Sequence, residues 1–256
     1  MNAVECIGLH AAYEAKSLGT EREVLKGLSF SLKEGARLSI LGSNGSGKST
    51  LLRSLNGMIP TKGSVKLFGK EVKDMKRKEI AADAAVMSQI SQLFFSFSVY
   101  ETVLMGRYLH RQGVLGGYTA EDKEKARECM RRTDVESLAD RQLSQLSGGE
   151  LQRVFLARTF AQDTPILMLD EPTNHLDLKV VAGMAAYLKE WSAEEGHTLI
   201  GVYHDIPLAL DLADTLLLMK EGKILAFGSR DEILDSGLLE KAYDFDVRGY
   251  LRGLMI

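Results

Sequence analysis

Short apolar segments recur along the chain and predict a series of buried strands. Several of them, such as Ile166–Leu169, are apolar throughout instead of alternating with polar residues. Continuous apolar runs are typical of strands that are covered on both faces. The predicted strands are Leu38–Leu41, Val65–Phe68, Ala84–Met87, Ile166–Leu169, Thr198–Tyr203, Thr215–Met219 and Ile224–Phe227.

Segments with helical patterns lie between these strands. They are Ser49–Gly57, Glu121–Arg132, Glu150–Ala161 and Val180–Glu195. Strands that alternate with helices along a chain predict an α/β core built around a largely parallel sheet.

The middle of the chain departs from this alternation. Residues 89–143 are rich in helix formers and include the stretch YTAEDKEKARECMRR, in which Thr119 is a suitable N-cap for a helix that begins near Ala120. The charge run in this stretch is most often a solvated helix face. We therefore predict one domain over residues 1–256, with a helical subdomain at roughly 89–160 inserted into its core.

Composition narrows the possible functions. The chain is 45% hydrophobic and 26% charged, as in ordinary globular proteins, and its net charge of −3 argues against electrostatic binding of nucleic acid by the protein as a whole. Cys6 and Cys129 have no paired spacing, which favours a reduced, intracellular protein without disulfide or zinc chemistry. The N-terminus lacks a secretory pattern, and the longest apolar runs are too short to cross a bilayer, so we expect the chain not to enter a membrane by itself.

The segment GSNGSGKST has the glycine, lysine and serine spacing of a phosphate-binding loop, and it stands between a predicted strand and a predicted helix. Its glycines allow successive backbone amides to turn toward phosphate oxygens. Lys48 would neutralise the β- and γ-phosphates, and the Ser49 hydroxyl would ligate Mg²⁺. The alternative is a flexible glycine turn. The predicted nucleotide-binding residues here are Gly42, Ser43, Asn44, Gly45, Ser46, Gly47, Lys48, Ser49 and Thr50.

A pair of acidic residues follows one of the buried strands, in the stretch PILMLDEPTNHLD. Four apolar residues lead to Asp170 at the strand end, where its carboxylate would hold Mg²⁺ through water. Glu171 points the other way and suits a general base that orients the attacking water. An acidic surface turn is the alternative.

Two further features are candidates for contact with phosphate. In LSGGE, Leu146–Glu150, two glycines precede a helix predicted to begin near Glu150, which would leave electropositive amides uncovered for an anion. An ordinary helix start with a tight turn is the alternative. His204 closes an apolar strand, from which it would reach a γ-phosphate. A structural histidine with satisfied hydrogen bonds is the alternative there.

Together these motifs resemble the ATP-binding subunits of ABC transporters, in family order and over nearly the whole chain. GSNGSGKST is similar to the Walker A motif of that family, ILMLDE to Walker B, LSGGE to the signature motif, and PTNHLD, which ends at Asp177, to the D-loop. The resemblance implies that His204 is the switch histidine, that Gln89 is the Q-loop glutamine that touches Mg²⁺ and the membrane partner, and that Tyr13 stacks on adenine.

The resemblance also implies a fold and a set of roles. The expected fold is a P-loop NTPase core with a largely parallel sheet, an N-terminal antiparallel β part and a helical subdomain. The expected catalytic residues are Glu171, His204, Lys48 and Gln89, and the expected Mg²⁺ ligands are Ser49, Gln89 and Asp170. The expected cofactors are ATP and Mg²⁺.

In that family the signature motif serves ATP that is bound on another chain. Ser147, Gly148, Gly149 and Glu150 would close over a γ-phosphate held by the phosphate loop of a second copy. Head-to-tail pairing with two-fold symmetry then yields two sites. The implied partners are a second copy of the chain, integral membrane permease subunits and, indirectly, a substrate-binding protein, with no nucleic acid. The implied location is peripheral, on the cytoplasmic face of the cell membrane.

Residues 96–113, SFSVYETVLMGRYLHRQG, resemble the subgroup that serves iron-siderophore, haem and cobalamin importers. GRYLH, Gly106–His110, is close to the Gly-Arg-x-Pro-His stretch of that subgroup, with Leu109 in place of proline. We therefore expect an ATPase that powers import of a metal chelate. A soluble ABC ATPase of iron–sulfur cluster assembly and the ATPase of an exporter, which shares every catalytic residue, are the alternatives.

Overall fold

The structure is a computed structural model that describes residues 1–14, 21–87, 97–111, 116–174 and 176–254. Its strands are β1 Asn2–Glu14, β2 Glu21–Lys33, β3 Arg37–Leu41, β4 Lys62–Leu67, β5 Lys70–Glu71, β6 Ala84–Met87, β7 Ile166–Asp170, β8 Thr198–Val202, β9 Thr215–Lys220 and β10 Lys223–Ser229. Its α-helices are α1 Lys48–Leu55, α2 Arg77–Asp83, α3 Val99–Leu104, α4 Ala120–Arg132, α5 Gly148–Ala161, α6 Leu178–Ala193, α7 Ile206–Leu212, α8 Arg230–Asp235, α9 Leu238–Tyr243 and α10 Val247–Leu254.

The predicted strands and helices all form, with ends that differ by at most three residues. Phe68 lies outside β4 because its backbone is left-handed, with φ 47°. The predicted N-cap of α4 is confirmed, since the Thr119 hydroxyl accepts a hydrogen bond from the Asp122 amide at 3.1 Å. Within the described part of the chain, no helix is long and apolar enough to span a membrane.

The chain divides into two units, Met1–Met75 with Thr198–Ile256, and Lys76–His197. The first unit contains an antiparallel sheet with the strand order β2-β1-β4-β5, which is the expected N-terminal antiparallel part. Strands β1 and β4 come very close together at Gly63, where a Cβ atom would lie 2.2 Å from the Gly8 carbonyl oxygen. A side chain is therefore excluded at this crossing.

A second sheet of the first unit positions the candidate site. Strand β3 pairs in parallel with β8 on one side and with β9 on the other, and the hairpin partner of β9 is β10. All residues of β8, and all of β3 after Arg37, are buried, as their continuous apolar sequences predict. Because parallel strands end at the same edge of a sheet, the chain leaves β3 and β8 on one side.

The second unit contains the parallel pair β6 and β7 together with a group of packed helices, α3, α4 and α5. The predicted subdomain at roughly 89–160 falls within this unit, and its first residues lie outside the described ranges. Two of its helices are capped locally: Thr119 caps α4 and Ser98 caps α3, and each cap residue also donates a reciprocal hydrogen bond to a carboxylate three residues later.

The GRYLH stretch lies against the C-terminal end of helix α5. Its backbone forms a 3₁₀-helix, Met105–His110, in which a Cβ atom at Gly106 would lie 2.3 Å from the Arg158 carbonyl oxygen. Arg107 donates to the Ala161 carbonyl at 3.0 Å, and a His110 ring nitrogen lies 2.9 Å from the Gln162 carbonyl. Cations and donors at a helix C-terminus satisfy its last carbonyls and its dipole. The stretch therefore anchors the helix that begins with the signature motif.

Replacing Arg107 by alanine is expected to lower the free energy of unfolding by about 3–5 kcal/mol. Arg107 is 6% exposed and its Nε donates to Asp122, which is 3% exposed, at 3.1 Å. Removal of the arginine leaves a buried carboxylate without its countercharge. Urea unfolding measures the loss, and a double variant that also carries Asp122→Ala should lose less than the sum of the single variants. Exposed Arg131 is the control, and an Arg131→Ala loss as large as that of Arg107→Ala would contradict the argument.

The ion pair of Arg107 and Asp122 also predicts how the free energy of unfolding depends on pH. Burial raises the pKa of Asp122, but hydrogen bonds from Thr119 and Arg107 outweigh it, so that the pKa lies below its usual value. A carboxyl group with a lowered folded pKa stabilises the fold above its unfolded pKa of about 3.9, and the stabilisation is lost as the pH falls through the folded pKa. The difference in unfolding free energy between wild type and Asp122→Asn should therefore shrink below about pH 4.

Candidate functional site

The glycine-rich loop Gly42–Thr50 connects the end of β3 to the start of α1, within the first unit. Gly42 and Gly47 have φ angles of 150° and 103°, and Gly45 has 77°. A Cβ atom at Gly42 would lie 2.2 Å from the Met219 carbonyl oxygen of β9. Only glycine suits these positions, because other residues rarely adopt such φ angles and a side chain at Gly42 would clash with backbone.

The interior of this loop is electropositive. Lys48 is 5% exposed, and its ammonium donates to the carbonyl oxygens of Gly42 at 2.8 Å and Ser43 at 3.1 Å. The loop leads into the N-terminus of α1, whose first amides have no partner within the helix. Ser43, Asn44 and Gly45 are exposed. An exposed loop that encloses an ammonium and leads into a helix N-terminus suits a polyphosphate anion.

Other loop side chains are partly or fully covered. Ser46 and Thr50 are buried, and Ser49 lies half-buried in the first turn of α1. The Ser46 hydroxyl is buried, and it forms no hydrogen bond with any residue that the structure describes. The Ser46 carbonyl accepts a hydrogen bond from the amide of Gly222 at 3.1 Å. The turn between β9 and β10 is thereby hydrogen-bonded to the phosphate loop and supports it.

His204 lies at the same sheet edge as the phosphate loop. Strand β8 ends at Val202, one residue earlier than predicted, and is followed by buried Tyr203 and exposed His204. Val202 is in register with Ile40 of β3, two residues before Gly42. Asp205 accepts from the Leu208 amide at 2.9 Å and caps α7. The structure therefore brings His204 and the phosphate loop to one edge, as the sequence predicts for parallel strands.

Tyr13 lies near the end of β1, in register with Arg22 of β2, and its side chain is 38% exposed. An exposed ring is available for stacking, and its contact with adenine stays a prediction. Gln89 lies outside the described residues, so its predicted roles toward Mg²⁺ and a membrane partner also stay predictions.

In the second unit, the two acidic residues occupy different environments. Asp170 is the last residue of β7, which is buried throughout, and is itself 3% exposed. Glu171 is half-buried and has a left-handed backbone, with φ 54°. This conformation is uncommon for a residue other than glycine. The chain thus turns sharply between the two carboxylates, which supports separate roles for them.

Two residues that the sequence analysis did not single out hold Glu171. Its carboxylate accepts a hydrogen bond from the side chain of Asn174 at 2.7 Å. The side chain of Gln152, on α5, donates to the carbonyls of Glu171 and Pro172 at 3.3 Å each. Gln152 therefore connects the helix of the signature motif to the peptide that follows Asp170. No spacing rule identifies this contact, because the two segments are remote in sequence.

The signature motif begins helix α5. The helix starts at Gly148, so the prediction that both glycines precede a helix near Glu150 is wrong: Gly148 and Gly149 form its first turn. Ser147 is the N-cap, and its hydroxyl accepts from the Glu150 amide at 3.3 Å and donates to the Glu150 carboxylate at 2.7 Å. Hydrogen bonds from the Ser147 hydroxyl and amide lower the pKa of Glu150. Ser147 and Gly148 are exposed.

Asp177, in the stretch that resembles the D-loop, caps α6. Its carboxylate accepts a hydrogen bond from the Val180 amide at 2.9 Å, and the residue is exposed. The next residue, Leu178, is 83% exposed. An exposed cap followed by an exposed leucine is compatible with contact to another chain.

Comparison with known proteins places this arrangement among nucleotide-binding cassettes. The family model for ABC transporters matches residues 25–174. The hemin import ATP-binding protein HmuV of Gloeobacter violaceus is 42% identical over 230 residues, which cover 87% of this chain and 82% of that protein. The ferric enterobactin transport ATP-binding protein FepC of Escherichia coli is 37% identical over 221 residues, which cover 86% of this chain and 81% of that protein.

Solved structures give the same result. An inward-facing metal-chelate type ABC transporter aligns with a TM-score of 0.76 and 27% identity, over 94% of this chain and 89% of that chain. A dimeric ATP-binding cassette in a post-hydrolysis state, with ADP and phosphate bound, aligns with a TM-score of 0.80 and 27% identity, over 89% of this chain and 98% of that chain.

Proposed function

This chain belongs to the ABC transporter family of ATP-binding proteins, and from that premise we propose that it powers the import of a metal chelate through a membrane permease. The chain is an ATPase, and the proposed cargo class is an iron-siderophore, haem or cobalamin. The observation that carries the ATPase part of the proposal is the phosphate loop, with the Lys48 ammonium donating to its carbonyls and His204 at the same sheet edge. The cargo class is supported by relatives that are named for hemin and ferric enterobactin.

The residues of the phosphate loop would bind the nucleotide. We propose that the amides of Gly45 to Thr50 and the Lys48 ammonium hold the β- and γ-phosphates, while the exposed ring of Tyr13 stacks on adenine. Lys48 is already enclosed by its own loop, so little rearrangement is needed to present its charge. His204, exposed beyond β8, would donate to the γ-phosphate.

The available oxygen donors suit Mg²⁺, which prefers carboxylate and hydroxyl oxygens. The Ser49 hydroxyl lies in the first turn of α1, and the buried Asp170 carboxylate ends β7. We propose these two residues and Gln89 as the ligands. When bound, the ion would neutralise charge on the phosphates. Glu171, which follows Asp170 with a left-handed backbone, would accept a proton from the attacking water.

A complete site would need a second copy of the chain. Ser147, Gly148, Gly149 and Glu150 stand at the exposed start of α5, and Asp177 at the exposed start of α6. We propose that they act on the nucleotide of the partner copy, which is consistent with the dimeric cassette among the solved structures. The working protein would be a homodimer on the cytoplasmic face of the membrane, bound to permease subunits and served by a substrate-binding protein.

Cargo can be tested by uptake. Cells that lack the endogenous ATPase and carry this chain with its permease should accumulate one of haem, a ferric siderophore or cobalamin, and the Glu171→Gln variant should accumulate none. Co-purification with a polytopic membrane protein distinguishes a transporter subunit from a soluble iron–sulfur assembly ATPase. Efflux of the cargo instead of uptake would overturn the proposed direction of transport.

Replacing Lys48 by alanine is expected to weaken ATP binding and abolish turnover. The ammonium would stand among the phosphates, where a neutral side chain leaves developing charge uncompensated; loss of a single such donor lowers rates by roughly 10²–10³-fold. Titration with a fluorescent ATP analogue and phosphate release measure the two effects. Lys70→Ala, an exposed lysine of the same unit, is the control and should match wild type. Unchanged affinity and rate in the Lys48 variant would rule out the assignment.

A further inference from the structure

A tyrosine from the C-terminal segment contacts the phosphate loop. Tyr243 is the last residue of α9 and is half-buried, and its hydroxyl oxygen accepts a hydrogen bond from the Gly42 amide at 3.1 Å. The two residues are separated by 201 positions in sequence, and Tyr243 lies outside residues 25–174, which the family model matches. None of the motifs described above includes it.

The backbone of Gly42 is held from several sides. Its amide donates to Tyr243, and its carbonyl accepts from the Lys48 ammonium at 2.8 Å. The Met219 carbonyl of β9 approaches so closely that a Cβ atom on Gly42 would lie 2.2 Å away. The start of the loop is therefore fixed by the same contacts that set the position of Lys48.

Helix α9 is itself tied to the strand that passes Gly42. The Lys220 ammonium, next to Met219, donates to the Lys241 carbonyl at 3.0 Å and pairs with Asp244 at 2.6 Å. A cation there satisfies carbonyls at the helix C-terminus. Lys220 thus binds the C-terminal end of α9, the end that carries Tyr243 and its hydrogen bond to Gly42. The hydrogen bond is thus part of a connected network and not the result of a free side chain.

The ring of Tyr243 has a second neighbour. It lines a cavity of about 420 Å³ together with His204, Phe245 and Tyr250. One face of the C-terminal segment therefore borders both the phosphate loop and the proposed switch histidine. Removal of the hydroxyl alone leaves this ring in place, so Tyr243→Phe separates the hydrogen bond from the packing.

We propose that Tyr243 is a positioning residue of the nucleotide site, which fixes the Gly42 peptide so that the Lys48 ammonium is presented to the phosphates. The proposal rests on the proposed ATPase function and adds the C-terminal segment to its machinery. Tyr243 does not touch the nucleotide, and it acts through the backbone between Gly42 and Lys48.

The test is Tyr243→Phe, measured by ATP binding to the purified protein and by ATPase activity in the complex with its permease. The KM and the dissociation constant for ATP should rise about three- to tenfold, in keeping with a covered amide that loses its acceptor, while kcat stays within about twofold. Tyr250→Phe is the matched control, because Tyr250 is 56% exposed and lines the same cavity. It should match wild type.

A double-mutant cycle separates positioning from general support of the fold. In a Lys48→Ala background, Tyr243→Phe should change ATP affinity by less than about twofold, because the group that it positions is gone. An equal loss in both backgrounds would overturn the proposal, as would wild-type affinity in Tyr243→Phe. Thermal unfolding of Tyr243→Phe without nucleotide should shift by no more than about 2–4 °C, the cost of one hydrogen bond, and a loss of folded protein would assign the hydroxyl a structural role instead. If wild type itself bound no ATP, the proposed function would fail and not this inference.

Discussion

Replacing Glu171 by glutamine is expected to lower ATP hydrolysis by about 100-fold or more while ATP binding is retained. The carboxylate follows the buried end of β7 and stands on a residue with a left-handed backbone. Glutamine keeps the size of the side chain and an oxygen for the Asn174 amide, which donates to Glu171 at 2.7 Å. The change therefore removes the proton acceptor and leaves the local structure intact.

Phosphate release in the complex with permease measures the rate, and a fluorescent ATP analogue measures binding. The variant should also remain as an ATP-bound dimer, since the γ-phosphate is not released. Glu121→Gln, an exposed glutamate of the same unit, is the control and should behave as wild type. If Glu171→Gln hydrolyses ATP at close to the wild-type rate, Glu171 is not the base.

Replacing Ser147 by arginine is expected to abolish ATP-dependent dimerisation. Ser147 caps α5 at an electropositive end, where an anion gains typically about 0.3–1 kcal/mol when exposed and more when partly buried. Its hydroxyl donates to Glu150 in this structure, so it would turn from that carboxylate to reach a phosphate.

The γ-phosphate would hold two chains together, and ADP, which lacks it, would release them. Hydrolysis would thereby open the dimer and move the helical unit and the region after Gln89 against the permease.

Mixing two inactive chains tests whether the signature acts on the partner. A chain with Ser147→Arg and a chain with Lys48→Ala should each be inactive alone. Their heterodimer should regain one intact site, built from the phosphate loop of the first and the signature of the second. ATPase activity of the mixture, with permease present, should exceed that of either chain. Light scattering of the mixture with ATP follows dimerisation in parallel, in case activity requires both sites.

The matched control for Ser147→Arg is Ser229→Arg. Ser229 caps α8 with the same reciprocal pattern, in which its hydroxyl donates to Glu232 at 2.6 Å and accepts from the Glu232 amide at 3.4 Å. Both variants lose a helix cap, which costs about 0.5–2 kcal/mol. Only the Ser147 variant should lose dimerisation. If Ser147→Arg dimerises with ATP like wild type, the role of this loop across chains is wrong.

Much of the architecture could be predicted because it depends on local patterns. The apolar runs of β3, β7 and β8 indicate buried strands at any place in a chain, and glycines at Gly42 and Gly47 indicate a loop with left-handed turns. The ends of the long strands β1 and β2 could not be predicted from sequence patterns. Strand β1 pairs with irregular register, and it contains Gly8 at φ 55°, which interrupts the alternation of polar and apolar residues. Their pairing, and not their local sequence, holds them as strands.

Helix boundaries show where rules based on local sequence stop predicting the structure. Thr119 marks the start of α4 correctly because a threonine cap and an acidic third residue lie within one turn of each other. At the signature motif, the glycines indicate a turn before a helix, but the Ser147 and Glu150 capping box includes both glycines in the first turn. The hydrogen bonds of the cap offset the low helix propensity of glycine, which is about 1 kcal/mol per residue.

The sequence by itself determined the motifs, their order and the chemistry that each residue type can perform, because the phosphate loop, the acidic pair and the capped helix are each specified within a few residues. The tertiary structure decided which distant groups support them. Tyr243 meets Gly42 across 201 residues, Gln152 meets the peptides after Asp170, and Arg107 meets the end of α5. These contacts follow from how strands and helices pack, and a hydrogen bond between remote segments leaves no period or spacing in the sequence.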